Sequence, residues 1–477
     1  MGKRKSGNIQ GRKGRQFSEE LKGVSLDQIL IVPIDAAKHH PKALICNYFG
    51  DIIEDSFFFS VNSTGLTKLV SKIRDSTKAC AAQRILIGIE ATGHYHEDIV
   101  RNLEKQGYQV TIINPYTTSE ERASALNWAK TDDLDLAAIA VALMRNKGTE
   151  SKLPSGIYDK LLTATRARRS EVNKRSTLQI KIRQLMDMIW PGFQGIPEVK
   201  NGKPQLNLIF SDFWGKTSCF LMHHYPLPQQ VLNLGAEGLR QLSKEHNLKI
   251  RSDTIQKLLH SAHLALFKSP EDLEIERFLL QMKLDDLERA NQKIATLERI
   301  IEALLVQTPG VLLLSVPEIG VTSAAEFTAE VGPIGQFTNP GQIIKKAGTN
   351  PLVKQTGGGE PVYGPISKQG NPCLRKVIYS IGFNLATGRT NPYFKAFADR
   401  LKTAGKKGSQ VWIATGNKFI KVAFALLRDK KLFNPPLLDG QSLTKNVLAK
   451  LQDENNQLVA QKTLTDLLNT QVKEKAC

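Results

Sequence analysis

The chain has 477 residues, more than one ordinary core accommodates, so several domains of roughly 100–200 residues are expected. Its 41% hydrophobic and 23% charged residues are those of a globular protein, and no apolar run approaches the ~20 residues that span a bilayer, so no membrane role is implied. Sixty-five Lys and Arg against 46 Asp and Glu leave a formal charge of +19, which points to a polyanionic partner such as nucleic acid.

The opening stretch MGKRKSGNIQGRKGRQ is basic with no apolar core behind it, which predicts a disordered arm over 1–27 and no secretory signal. Five widely spaced cysteines without a CxxC pair support neither a disulfide framework nor a zinc knuckle, and a reducing cytoplasm fits them. Residues 28–150 read as an α/β domain. The apolar runs QILIVPI, KALICNY, SFFFSV, RILIGIE and YQVTII alternate with the helical stretches GLTKLVSKIRDS and HEDIVRNLEKQG. Three strands ahead of the strand–helix units is the order of a ribonuclease-H-like fold; a plain doubly wound sheet competes with it.

Residues 151–308 read as a helical connection. Between Tyr158 and Ile189, Lys160, Arg166, Arg168, Arg169, Lys174, Arg175, Lys181 and Arg183 outnumber the acids, as a helix tracking a phosphate backbone requires, although a solvated face would look similar. Residues 191–268 suggest a small, mostly helical module. From 275 to 306, Leu280, Leu287, Ile294 and Ile301 recur at steps of seven and predict a coiled coil, paired either with the basic helix or with another subunit. A second compact domain over 309–435, mainly α-helical, and a polar helical tail over 436–477 complete the chain.

Two acids stand at the ends of apolar runs: Asp35 closes ILIVPID and Glu90 closes RILIGIE. If those strands are parallel neighbours, their ends lie about 5 Å apart and both carboxylates can face one divalent ion. Asp132 and Asp135, at i and i+3 in KTDDLD, share a face at the start of a helix. Asp133 is an alternative to Asp132. Hard cations such as Mg2+ or Mn2+ prefer carboxylate oxygens, so four converging acids can hold one or two ions.

The blocks IDAAK (34–38), IEATGHY (89–95), INP (113–115) and KTDDLD (130–135), in this order, resemble those of the insertion-sequence-110 family of transposases. The resemblance implies a RuvC-like domain whose DEDD tetrad is Asp35, Glu90, Asp132 and Asp135, with Lys130 beside it as a nucleic-acid contact. In the C-terminal half, residues 316–324 (VPEIGVTSA) have the form of a helix-hairpin-helix turn centred on Gly320, whose backbone N–H groups could meet a phosphate. KAGTNP (346–351), Gln355-Thr356-Gly357 and ISKQGNPCLRKVIY (366–379) resemble the family's second, transposase domain.

In that family a serine before the glycine of a Ser-Gly pair forms a covalent link to a DNA 5′ phosphate; here the position is Thr356. A threonine hydroxyl can act as a nucleophile, but its methyl group restricts χ1 and crowds an in-line approach. A working threonine, a weakened or inactive enzyme and a replaced serine all stay open. Gly357, Lys368, Arg375 and Lys376 are candidate phosphate contacts. The resemblance further implies a composite site, an oligomer (dimer or tetramer) acting on DNA in the cytoplasm at the nucleoid, and a structured guide RNA. A RuvC-like endonuclease or junction resolvase that uses metal-activated water, and a nucleic-acid-binding descendant without catalysis, are the alternatives.

Overall fold

The apolar run after Gln28 forms the central strand β1 (Ile29–Asp35), six of whose seven residues are buried. A strand covered on one face only would alternate; a near-continuous apolar run needs cover on both. The computed structural model supplies that cover, and it describes residues 21, 23–91, 93–124, 131–150, 156–266, 268–355, 359–435 and 440–474. Most of the N-terminal arm, Lys130, Thr356 and Gly357 lie outside the described residues. The chain divides into two units, Met1–Pro154 and Ser155–Cys477.

In the first unit β1 is followed by β2 (Lys42–Asn47), β3 (Ile52–Phe58), α1 (Ser63–Ala79), β4 (Arg84–Glu90), α2 (Tyr95–Lys105), β5 (Val110–Ile113), α3 (Pro115–Ser124), α4 (Asp132–Met144) and the short β6 (Thr149–Glu150). The sheet order is β3-β2-β1-β4-β5-β6. β1, β2 and β3 form an antiparallel meander, β4 and β5 run parallel to β1, and β6 returns antiparallel. The expected hairpin meander leading into parallel strands is thus present. The third strand starts at Ile52, four residues before the SFFFSV run.

Alternation along the strands sorts the two faces. Leu30, Val32, Ile34, Ile87 and Ile89 pack with Leu69 and Ile73 of α1 and Ile99 and Leu103 of α2. Ile31 packs with Ile139 and Leu143 of α4 on the other face. Gly88 belongs to this second face and meets α4 so closely that a Cβ there would lie 2.7 Å from the Leu143 Cδ1 atom.

The second unit starts with the basic helix α5 (Ile157–Ile189). The module after it contains the hairpin β7 (Gly195–Lys200) and β8 (Lys203–Leu208), then α6 (Lys216–His224), α7 (Pro228–Glu245) and α8 (Ser252–Leu264). The β-hairpin is an addition to this mostly helical module, and its Asn201-Gly202 turn has positive φ at both residues, 53° and 70°. α9 (Glu274–Leu305) then runs back antiparallel along α5: Leu280, Leu284 and Leu287 share a core with Ile182 and Met186, and Ile301 and Leu305 share another with Leu161 and Ala164. The heptad face is therefore buried against the basic helix of the same chain.

A 3-10 helix (Pro309–Ser315) leads to α10 (Val321–Val331), α11 (Pro340–Ala347), the hairpin β9 (Pro351–Lys354) and β10 (Val362–Ile366), α12 (Pro372–Thr387), α13 (Pro392–Thr403), α14 (Gly408–Arg428), α15 (Gly440–Leu448) and α16 (Glu454–Glu474). The tail is docked: Val447, Leu451, Ala460 and Leu464 enter the main core, and the buried Glu302 carboxylate accepts from the Gln452 and Asp453 N–H groups just before α16. Among the described residues no helix is long and apolar enough to cross a membrane.

The contact at Gly88 yields a prediction. Gly88→Val should lower unfolding free energy by about 1–3 kcal/mol in denaturant titration, because the added methyls force α4 off the sheet. Adding Leu143→Ala should return part of that loss, since the two sites share the same space.

Candidate active site

Asp35 is the last residue of β1 and Glu90 the last of β4. The parallel register runs from Ile29↔Arg84 to Ile34↔Ile89, so the next pair is Asp35 with Glu90. Both acids continue the alternation Ile31-Pro33-Asp35 and Leu86-Gly88-Glu90, which belongs to the sheet face covered by α4. Sequence and pleat together bring the two acids to one edge of one face.

α4 brings the other two. Its N-cap Thr131 accepts from the Leu134 N–H group at 3.3 Å, and Asp132, Asp133 and Asp135 fill its first turn, where the helix dipole favours negative charge. The three side chains then differ. Asp133 takes a 2.6 Å hydrogen bond from Lys42, the residue paired with Asp35 across β2, and that bond holds its carboxyl below the usual carboxylate range. Asp135 is buried, with one oxygen 3.0 Å from the Arg122 Nε of α3. That pair lies within ion-pair distance but without hydrogen-bond alignment, so the buried carboxylate oxygen has no aligned donor. Asp132 is exposed and lines a cleft with residues 37–40 and Phe58. Next to Arg122, the Glu121 side chain is almost fully buried between Arg145 and Lys147, each 2.6 Å away, which fixes α3 to the end of α4.

An oxygen-only donor set and a buried carboxylate oxygen lacking an aligned donor fit a hard divalent cation. Among the described residues, however, no three His, Cys, Asp or Glu side chains are gathered closely enough to hold one. Asp35 and Glu90 converge through the backbone, while Asp135 is held toward Arg122.

In the second unit the hairpin-turn residues 316–320 join the 3-10 helix to α10. Gly320 is the helix N-cap, and the space where a Cβ would stand is open. Lys450 braces this turn from the tail: its ammonium donates to the carbonyls of Leu314, Val316 and Ile319 at 2.6, 2.9 and 2.8 Å. Burial pushes that ammonium down to about 8, against the opposing pull of Glu318. The Glu318 carboxylate accepts from the hydroxyl and N–H of Thr390, which keep it below the usual carboxylate range.

Residues 32–191 match a DEDD transposase family of the IS110 type, and residues 311–399 match the transposase IS116/IS110/IS902 family; together these segments cover more than half of the chain. The chain belongs to the IS110 family of transposases. It is 21% identical to a protein of insertion element IS116 from Streptomyces clavuligerus over 85% of this chain and 96% of that protein. A protein of insertion element IS110 from Streptomyces coelicolor is 28% identical over 33% of this chain and 38% of its own length. The pilin gene-inverting protein of Moraxella bovis is 24% identical over 31% of this chain and 48% of its own length.

Within this family framework the expected phosphate contacts fall into two groups. Arg166 makes a two-pronged ion pair with the buried Glu330, which also accepts from the Asn371 amide; Arg168 pairs with Glu298 and Arg169 with Glu326. These arginines hold α5 to α9 and α10. Arg375 donates to the carbonyls of Ala347 and Lys368, so it braces the loop before α12. Lys174, Lys368 and Lys376 are exposed, while Arg175 is half-buried. Thr356 and Gly357 lie outside the described residues; the strands β9 and β10 flank them, and the Gln355 amide donates to the Gly359 carbonyl across their span at 2.9 Å.

Sequence reading missed Lys42, Arg122, Glu121 and Lys450. Only Lys42 carried a local signal, as part of the basic run after Asp35. A test follows for the most remote of them. Lys450→Met removes the shared donor of three turn carbonyls, of which Val316 still accepts from the Ile319 N–H group, and should cost about 2–6 kcal/mol of stability in denaturant titration, at roughly 1–3 kcal/mol for each of the other two. Stability within 0.5 kcal/mol of wild type (roughly the noise of a surface substitution) would show that solvent replaces the ammonium.

Proposed function

We propose that this chain is a DNA transposase or site-specific recombinase. Its strand cleavage depends on Asp35, Glu90, Asp132 and Asp135, and Thr356 supplies the attacking hydroxyl. The observation that carries the reading is the in-register neighbourhood of Asp35 and Glu90 on the sheet face that α4 covers with its own acids. The sheet order, a meander followed by parallel strands, supports a RuvC-like, ribonuclease-H-type fold for the first unit.

Asp35, Glu90, Asp132 and Asp135 would hold Mg2+ or Mn2+, which supplies electrostatic stabilisation of charge building on phosphate oxygens. Asp132 is preferred to Asp133, whose carboxylate is committed to Lys42. The Thr356 hydroxyl gives its proton to solvent as its oxygen bonds to phosphorus, and the departing 3′ oxygen takes up a proton from solvent as its bond to phosphorus breaks. Gly320, Lys174, Arg175, Lys368 and Lys376 remain candidates for phosphate contacts, whereas Arg166, Arg168, Arg169 and Arg375 act through the scaffold. A structured guide RNA and an oligomeric assembly follow from the family resemblance.

The test is incubation of the purified chain with element-end DNA and Mg2+, with and without the flanking transcript. A covalent protein–DNA adduct should form and map to Thr356. Thr356→Ala should abolish adduct and cleavage together, while Thr356→Ser, which removes the crowding methyl, should cleave at least as fast as wild type. Asp35→Asn and Glu90→Gln should each slow cleavage by on the order of 10²-fold or more, the scale of losing one electrostatic group. Cleavage that survives Thr356→Ala would instead assign a nuclease that uses water.

A further inference from the structure

A cleft of about 710 Å3 opens beside the acids of the first unit, lined by Ala37, Lys38, His39, His40, Phe58 and Asp132. Its size suits one nucleotide. Phe58, at the end of β3, is 51% exposed, although a phenyl ring of that size is ordinarily buried. His40 stands nearly perpendicular to it, with ring centroids 6.3 Å apart and planes at 78°. The Lys42 ammonium lies 5.1 Å from the Phe58 ring centre. Lys38 is exposed at the same rim.

Each of these features has an ordinary explanation alone. Together they combine a half-exposed aromatic ring, a second ring set as a wall and an exposed lysine, with a second cation behind the ring, all at the end of the strand that carries Asp35. A peptide or an apolar ligand has no use for the cations, and an inorganic anion has none for the rings. A nucleotide uses both. Single-stranded nucleic acid is held by bases stacked on aromatic rings beside basic groups that meet the backbone. Asp132 repels a phosphate, so the backbone belongs at the exposed Lys38 rim and the base on the ring. Lys42, only 12% exposed and paired with Asp133, sets the position of the Phe58 ring from behind the cleft.

We infer that this cleft receives one unpaired DNA nucleotide next to the phosphate to be cut, its base stacked on Phe58 against His40 and its phosphate neutralised by Lys38. The inference rests on the reading of the neighbouring acids as a strand-cleavage site. It adds that the DNA is unpaired where it enters, because a base inside a duplex offers no free face to the ring. Phe58 and His40 are thereby positioning residues for the strand.

The test measures binding of the full-length chain, in chelator and about 0.3 M salt to weaken general phosphate contacts. The probes are a 20-nucleotide single strand of element-end DNA with one 2-aminopurine stepped along it, the corresponding duplex and the matching RNA strand. The single strand should show position-dependent quenching, and a 5-bromodeoxyuridine version should crosslink to Phe58 or His40. Phe58→Ala should weaken binding about 5- to 30-fold, the scale of losing one stacked base. Phe58→Leu, which keeps the apolar bulk without a π-face, should weaken it likewise, and Phe58→Trp should restore it. Unchanged binding by both weakened variants, crosslinks elsewhere, or preference for the duplex or the RNA strand overturns the inference. Chelation separates it from the catalytic reading. A chain that stacks DNA but never cleaves it keeps the cleft and loses the enzyme, whereas one that cleaves normally with Phe58→Leu does the reverse.

Discussion

The seating of α4 on the sheet is the constraint from which the first unit follows. The acids that end β1 and β4 and those in the first turn of α4 repel one another, and nothing in their own chemistry would bring these elements together. The collecting is done by apolar contact along the rest of α4: Leu136, Ile139 and Leu143 are buried, and Gly88 removes a side chain from β4 so that Leu143 can approach. The charge is then balanced locally. Lys42 answers Asp133 and Arg122 answers Asp135, so two acids of α4 are held by side-chain cations of the fold. The Asp135 carboxylate faces Arg122 within a frame that the buried Glu121, paired with Arg145 and Lys147, holds in place.

The second unit uses charge in the opposite sense. Its long basic helix carries an excess of arginine, yet three of those arginines are bound to Glu298, Glu326 and Glu330. A buried carboxylate such as Glu330 is tolerable only because Arg166 and Asn371 satisfy it, and removing either partner would leave a costly charge behind. The number of basic residues on this helix therefore overstates the cation it offers a polyanion. What is left for a ligand is the exposed remainder, Lys160 and Lys181 among it, rather than the whole stripe.

Much of the fold was legible because it is written in short-range pattern. The strand runs, the two long helices and the ends of β1 and β4 follow from periodicity, and parallel pairing turned two distant acids into neighbours. The start of β3 was less so, since Ile52 to Asp55 mix apolar and acidic residues and only the aromatic run stood out. The hairpin inside the 191–268 module had its signal, the Asn201-Gly202 turn, obscured by Pro197 and Pro204 in the flanking strands, which argue against strand on their own. The arginine partners were not legible at all: Arg166 and Glu330 lie 164 residues apart, and only tertiary packing brings them together. The same holds for Lys450, whose three acceptors precede it by more than 130 residues.

Thr356 shows how the remaining sequence reading bears on the structure around it. Its flanking strands β9 and β10 are exposed along nearly their whole length, so they bury little apolar surface of their own. What ties the hairpin down is polar and lies at its base: the Ser367 N–H donates to the Asn350 carbonyl, and its hydroxyl donates to the Asn350 side chain. The hairpin is therefore attached through Asn350 and Ser367 and not through apolar packing of its strands. In the proposed reaction the extra methyl of threonine narrows the χ1 rotamers open to the attacking hydroxyl, a limit that serine at the same position would not carry.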